Sequence, residues 1–206
     1  MTIAIVDCGG ANTASVRFAL QRQGCDGTVT HDAGLIRAAS LVIVPGVGAI
    51  DDTMQRLQRH RLDEVIPTLT QPVLGICLGM QILGTRSDEG ESDCLGIVDN
   101  VSRRLHAAQG RPVPHTGWNR AQVSTPDPLF QGIGNDNWFY YVHSYALAPG
   151  PDTIATTMYG QRFSAALRRR NFYGVQFHPE RSGRGGAKLI GNFLQLAGRD
   201  ITRVAS

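Results

Sequence analysis

The sequence predicts an α/β protein built on a central, mostly parallel sheet, with helices on both faces and antiparallel strands added to it. Two observations carry that reading. In the first half, short runs that are apolar throughout alternate with amphipathic stretches, as strands buried on both faces require. In the second half the apolar runs shorten and Pro and Gly punctuate them, as in antiparallel pieces.

Taken in order, residues 3–7 (IAIVD) read as a buried strand, and residues 12–23 place Val16, Phe18, Ala19 and Leu20 at roughly helical spacing. The β-branched run 41–44 is a second strand, closed by Pro45-Gly46-Val47-Gly48. Helical patterns follow at 51–59 and 61–66, then a strand at 73–76, with Cys77 turning into a helix. From Asp93 to about Tyr173 the chain reads as short strands, at 138–143, 153–158 and 163–167, followed by one at 172–177. Residues 185–196 close as a helix with Leu189, Ile190, Phe193 and Leu194 inward.

With 206 residues, 42% hydrophobic and 18% charged, and without repeat or linker, the chain suits one domain over 1–206. The net charge is only +3. The basic runs Arg168-Arg169-Arg170 and Arg103-Arg104 have no aromatic-basic motif beside them, so nucleic-acid binding is not expected. No apolar run approaches the roughly 20 residues that span a bilayer, and the start reads as a strand, not a signal peptide. Cys8, Cys25, Cys77 and Cys94 show neither metal-ligand pairing nor a disulfide framework, which points to a reducing cytoplasm and no metal. Cys8, Cys25 and Cys94 read as small buried or loop residues.

Gly75-Ile76-Cys77-Leu78-Gly79 lies between a strand and a helix. A cysteine on such a sharp turn is pushed into a cleft, and a Cβ at either glycine would crowd the turn or the next strand. A helix start beyond it would favour the thiolate and offer N–H groups to an oxyanion. Alone, the pentapeptide is equally a buried cysteine among small residues. Near the C-terminus, His178 ends an apolar strand in Gly174-Val175-Gln176-Phe177-His178-Pro179-Glu180. In extended backbone Glu180 would project to the same side as His178, hold its tautomer and stabilise its imidazolium, with Pro179 stiffening the backbone. A lone strand-end histidine would be structural; together with the elbow cysteine it reads as a Cys-His-Glu triad. The segment Pro45-Gly46-Val47-Gly48 also sits at a predicted strand carboxyl end, where such sheets bind ligands, and its glycines free the backbone to aim an N–H. By itself it is also an ordinary strand-ending turn.

With these pieces assembled, the sequence resembles the class I, triad-type glutamine amidotransferases, and among them the glutaminase subunits of imidazole glycerol phosphate synthase. The resemblance spans about residues 3–196. It is carried by the three segments above, extended to Gln81 and Ser182, and by Ser87-Asp88-Glu89-Gly90, Gly117-Trp118-Asn119 and Tyr141-Val142-His143-Ser144-Tyr145. The elbow and His-Pro-Glu mark the superfamily; Pro-Gly-Val-Gly and Gly-Trp-Asn mark the histidine-pathway branch.

The resemblance implies a flavodoxin-like amidotransferase domain with no cofactor. Cys77 would form a γ-glutamyl thioester with L-glutamine, His178 would shuttle protons and Glu180 would orient it. The oxyanion donors would be the amides of Leu78 and Val47, the latter after a peptide rotation. Gly46, Gln81, Glu89, Ser144 and Tyr145 would bind glutamine. The partner would be a (βα)8-barrel cyclase that receives the ammonia, in a heterodimer faced by Asn12, Trp118, Tyr140 and Arg181. Three positions depart from the pattern: Cys8 stands where an aromatic is usual, Ala11 where glycine is, and Thr116 where a large apolar residue is.

The alternatives are an amidotransferase serving anthranilate, aminodeoxychorismate, GMP or pyridoxal phosphate synthesis, and a docking subunit with an idle triad. A cysteine hydrolase or chaperone of the related superfamily would place histidine close behind the elbow cysteine, where this chain has Leu78.

Overall fold

The computed structural model describes residues 1–9, 12–90, 92–135 and 137–197. In chain order the first half comprises β1 (Ile3–Val6), α1 (Asn12–Gln21), β2 (Thr28–Thr30), α2 (Ala33–Ala38), β3 (Leu41–Gly46), α3 (Ile50–Arg59), α4 (Leu62–Val65), β4 (Val73–Cys77) and α5 (Leu78–Gln81). The second half comprises β5 (Arg86–Ser87), β6 (Val101–Arg104), β7 (His115–Arg120), β8 (Gln122–Val123), β9 (Trp138–His143), β10 (Tyr145–Leu147), β11 (Thr153–Tyr159), β12 (Gln161–Arg169), β13 (Phe172–Val175) and α6 (Gly183–Leu194).

Eight strands form the main sheet in the order β2-β1-β3-β4-β13-β12-β11-β8. The first five are mutually parallel and the last three join antiparallel. The continuous apolar runs have a direct cause in this arrangement. Along β1, Ile3 and Ile5 enter one core while Ala4 and Val6 enter the other. Along β3, Leu41 and Ile43 alternate with Val42 and Val44 in the same way. Each face of a strand has period two, so burying both faces makes every position apolar. Helices α1 and α6 cover the first face through Val16, Leu20, Leu189 and Phe193; α3 and α4 cover the second through Ile50, Met54, Leu57 and Leu62.

Several expectations are corrected. The strand at 138–143 joins β7 in a separate two-stranded ribbon, not the main sheet. Strand β13 is parallel to β4 and only its other neighbour, β12, is antiparallel. It ends at Val175, two residues earlier than expected, because its last parallel partner is Ile76 and the chain beyond Cys77 turns away. The terminal helix starts and ends two residues earlier than expected, and Leu194 is only partly buried. The elements α2, β2, β5, β6, β7, β8 and β10 were not named from the sequence: α2 is short, although Asp32 caps it by accepting from the Leu35 N–H at 2.8 Å, and β2 is an exposed edge. Among the described residues, no helix is long and apolar enough to cross a membrane.

Candidate active site

Strand β4 delivers Cys77 in a left-handed backbone conformation, φ 55° and ψ −110°. That geometry is costly for a residue with a side chain and persists only where the surroundings impose it. They do so through glycines. A Cβ on Gly79 would fall on the Val44 carbonyl oxygen, and one on Gly75 would fall on the Gly79 backbone. A Cβ on Gly46 would come within 2.5 Å of the Gly79 nitrogen. Gly46 thus packs behind the elbow and leaves Val47 to face the cavity. Because α5 is a single turn, it supplies individual N–H groups, Leu78 first, in place of the helix dipole the sequence suggested.

His178 is anchored by its backbone, whose N–H donates to the Tyr140 carbonyl at 2.9 Å. The Ser182 hydroxyl ties the same two segments, donating to the His178 carbonyl at 2.6 Å and accepting from the Tyr140 N–H at 2.9 Å. Glu180 reaches the ring by a route other than extended backbone. Pro179–Arg181 forms one 3-10 turn, started by the fixed φ of proline, and this turn brings Glu180 Oε1 to 2.8 Å from His178 Nδ1. A carboxylate accepts, so Nδ1 carries a hydrogen in either charge state of the ring, and Nε2 is the nitrogen left to exchange a proton with Cys77. Nε2 has no hydrogen-bond partner among the described residues. Both side chains are buried. Burial alone would depress the imidazole. Attraction to Cys77 (which falls short of a formed hydrogen bond) and to Glu180 outweighs it and raises His178 to about 10.

A cavity of about 310 Å³ lies in front of these groups. Its walls bring together the sequence-predicted Val47, Cys77, Leu78, Gln81, Glu89, Ser144, Tyr145 and His178. Glu180 stands behind His178 and outside the lining. Gly48, Val142 and His143 also line it, named in the sequence only as members of their segments, and Pro114 was missed. Gln81 uses both amide hydrogens internally, on the Tyr145 carbonyl at 2.8 Å and Gln176 Oε1 at 3.2 Å. Only its carbonyl oxygen is left for a ligand. Burial raises the Glu89 carboxyl pKa, against a hydrogen bond from the Ile50 N–H, and an ammonium placed there would draw it back down. A larger cavity, about 720 Å³, opens where β13 begins, at the other end of the sheet; its lining holds neither cysteine nor histidine.

Three of the four expected partner-facing residues cluster on the surface. Trp118 and Tyr140 meet edge to face at 6.0 Å, and the Arg181 guanidinium lies 4.7 Å from the Tyr140 ring centroid. Asn12 is separate from them and buried, its amide 3.4 Å from His178 Nδ1. Trp138, stacked by Arg120 at 5.1 Å, and Val142 extend the surface and were missed. The signal was readable: Trp138, Tyr140 and Val142 alternate along β9 and so share one face. Cys8 is buried and Thr116 exposed opposite Val142; Ala11 lies outside the described residues.

Residues 4–196 match the glutamine amidotransferase class-I family. The chain is 48% identical to imidazole glycerol phosphate synthase subunit HisH of Idiomarina loihiensis, covering 95% of this chain and 98% of the relative. It is 47% identical to the HisH subunit of Escherichia coli K12, covering 95% and 100%. Among solved structures it resembles a glutamine amidotransferase, with TM-score 0.75, 17% identity, and coverage of 97% of this chain and 100% of that one. PurLQS from Thermotoga maritima gives TM-score 0.71 at 19% identity, covering 94% and 98%. The structural likenesses bear on fold, and the family match and the close relatives on kinship: the chain belongs to the class-I glutamine amidotransferase family.

Proposed function

We propose that the chain is the glutaminase subunit of imidazole glycerol phosphate synthase, hydrolysing L-glutamine with Cys77, His178 and Glu180. It would pass the ammonia to a (βα)8-barrel cyclase that makes imidazole glycerol phosphate and aminoimidazole carboxamide ribotide in histidine biosynthesis. The observation that carries the reading is the His178 ring. One nitrogen is fixed by Glu180 at 2.8 Å, and the other is buried, with no hydrogen-bond partner among the described residues, beside a cysteine held at φ 55°. Near-full-length identity of 47–48% to HisH subunits supports the branch and the complex. The family match over residues 4–196 supports one domain, and four free cysteines suit a reducing cytoplasm.

In this reading His178 Nε2 takes the Cys77 proton and Sγ attacks the glutamine amide carbon. The Leu78 and Val47 N–H groups stabilise the resulting oxyanion. His178 returns the proton to the nitrogen, the C–N bond breaks and ammonia leaves a γ-glutamyl thioester. Water, deprotonated by His178, then cleaves the S–C bond, giving glutamate and free Cys77. Glu89 would hold the substrate ammonium, and Ser144 and Tyr145 its carboxylate. Gln81 contributes only its oxygen, since both amide hydrogens are engaged within the protein. Trp118, Tyr140 and Arg181 would face the cyclase, with Asn12 linking that side to His178.

Glutamate release by the chain alone is expected to be slight and to rise about 100-fold when the cyclase and its nucleotide ligand are added. A glutamine-analogue adduct should map to Cys77 and vanish in Cys77→Ser. Equal, high activity without the cyclase would overturn the gating. No adduct in the activated complex would favour an idle docking subunit.

A further inference from the structure

A set of buried polar side chains runs inward from the cavity wall, and its two histidines take no part in the glutaminase steps. His115 on β7 and His143 on β9 are opposite one another, with His115 Nδ1 3.1 Å from His143 Nε2. His143 Nδ1 lies 2.8 Å from the Tyr145 carbonyl oxygen. A carbonyl only accepts, so His143 carries its hydrogen on Nδ1 and offers a lone pair at Nε2. His115 must then donate from Nδ1, and its Nε2 accepts from Asn119 Nδ2 at 3.4 Å. The arrangement needs both rings neutral, and burial keeps them so, holding His115 at about 4 and His143 at about 3.

The same Tyr145 carbonyl accepts from Gln81, whose second amide hydrogen goes to Gln176 Oε1. With its oxygen so engaged, Gln176 turns its amide nitrogen to Cys77 Sγ, at 3.7 Å. The opposite amide orientation would lose the Gln81 bond and set an oxygen against the sulfur. Each tautomer and each amide orientation along the path is therefore determined by its neighbours, from Asn119 to the nucleophile.

We propose that Gln176 is a further catalytic residue, donating a hydrogen bond to the Cys77 thiolate, and that Gln81 with the His143–His115 pair forms the positioning relay that holds its amide in place. The proposal rests on the reading of Cys77 as nucleophile. A donor at the sulfur favours the anion over the thiol, and at neutral pH the larger thiolate fraction outweighs the lower nucleophilicity of each anion, without changing how glutamine is bound. The outer end of the relay, Asn119, belongs to the exposed ribbon that carries Trp118, so displacement of that ribbon is transmitted to the sulfur.

The test is iodoacetamide alkylation of Cys77 in the full-length chain, followed against pH by peptide mass mapping. Mapping separates Cys77 from Cys8 and Cys94, whose thiols burial pushes up to about 12 and about 11. His178 and the Val142 carbonyl, the other polar groups at the sulfur among the described residues, stay unchanged in every variant. Gln176→Met, of similar length but without a donor, should alkylate about tenfold more slowly at neutral pH, with a later midpoint. Its kcat in the activated complex should fall in parallel while KM for glutamine stays within about twofold. Gln176→Glu keeps the acceptor for Gln81 but puts a carboxylate at the sulfur; it should shift further in the same direction, and serves if the Met variant misfolds. His115→Phe, which retains ring contacts to Tyr141 and Tyr159 but breaks the relay, should show a smaller shift of the same sign. A pH profile for folded Gln176→Met or Gln176→Glu that overlays the wild type overturns the proposal. Glutaminase activity surviving in Cys77→Ser would instead overturn the reading beneath it, so the two failures are distinct.

Discussion

Glu180→Gln is expected to lower glutamate release by about 10⁴-fold in the activated complex, with the protein still folded. The size follows from the tautomer. Glu180 Oε1 fixes a hydrogen of His178 on Nδ1, which leaves Nε2 as the atom that exchanges the Cys77 proton in the proposed reaction. An amide in that place can donate to Nδ1 and so move the ring hydrogen to Nε2, where it opposes proton uptake. Stability should change with pH in a matching way. Burial would lower His178, but Cys77 and Glu180 reverse this and raise it from 6.5 to about 10 in the folded state. The stabilisation from the charged ring is then complete below about pH 6.5 and lost as pH rises through about 10. Without the Glu180 charge that loss should come at lower pH. Urea melts across the interval, beside glutamate assays, check both; a rate loss below tenfold would mean that Glu180 does not orient the ring.

Gly79→Ala should destabilise the protein by about 3 kcal/mol or more, lowering Tm by about 6–12 °C. The added Cβ would meet the Val44 carbonyl oxygen, which belongs to a central strand and cannot give way as a side-chain end would. Relief must come from shifting α5 away from β3, which displaces Leu78 and the elbow, so activity should fall with stability. Gly96→Ala is the control: at φ 61° with open space around it, it carries only a left-handed backbone cost of about 1 kcal/mol. Equal melting temperatures for the two variants would show that the elbow tolerates a methyl group.

The parallel half of the fold was legible because burial on both faces leaves a continuous apolar run in one strand. The antiparallel half was less so. Whether 138–143 pairs with the main sheet or with β7 depends on contacts distant in sequence, and alternation within the strand is the same in either case. The three candidate triad residues could be picked out from residue types at strand ends, but not the 3-10 turn that brings Glu180 to His178. The placement of Gln176 beside the sulfur was hidden for a related reason. Its neighbours in the chain are apolar, and the groups that orient it come from α5 and from the β7–β9 ribbon. Asn12 shows the limit of placing a residue by its segment: α1 begins beside the site, and the side chain turns inward to His178.

Strands β3, β4 and β13, from which the Val47, Cys77 and His178 segments issue, are adjoining strands in the interior of the main sheet. Their position sets a timescale. Backbone amides such as those of Ile76 and Val175 sit in strands paired on both sides, so hydrogen exchange there should require opening of the whole sheet, while edge strands β2 and β8 exchange by local fraying. Protection factors along the chain would display this gradient directly. The catalytic frame then lasts as long as the native state does. Any switching between idle and active enzyme must be faster than that, and falls to the segments outside the ladder, residues 47–48 and the β7–β9 ribbon.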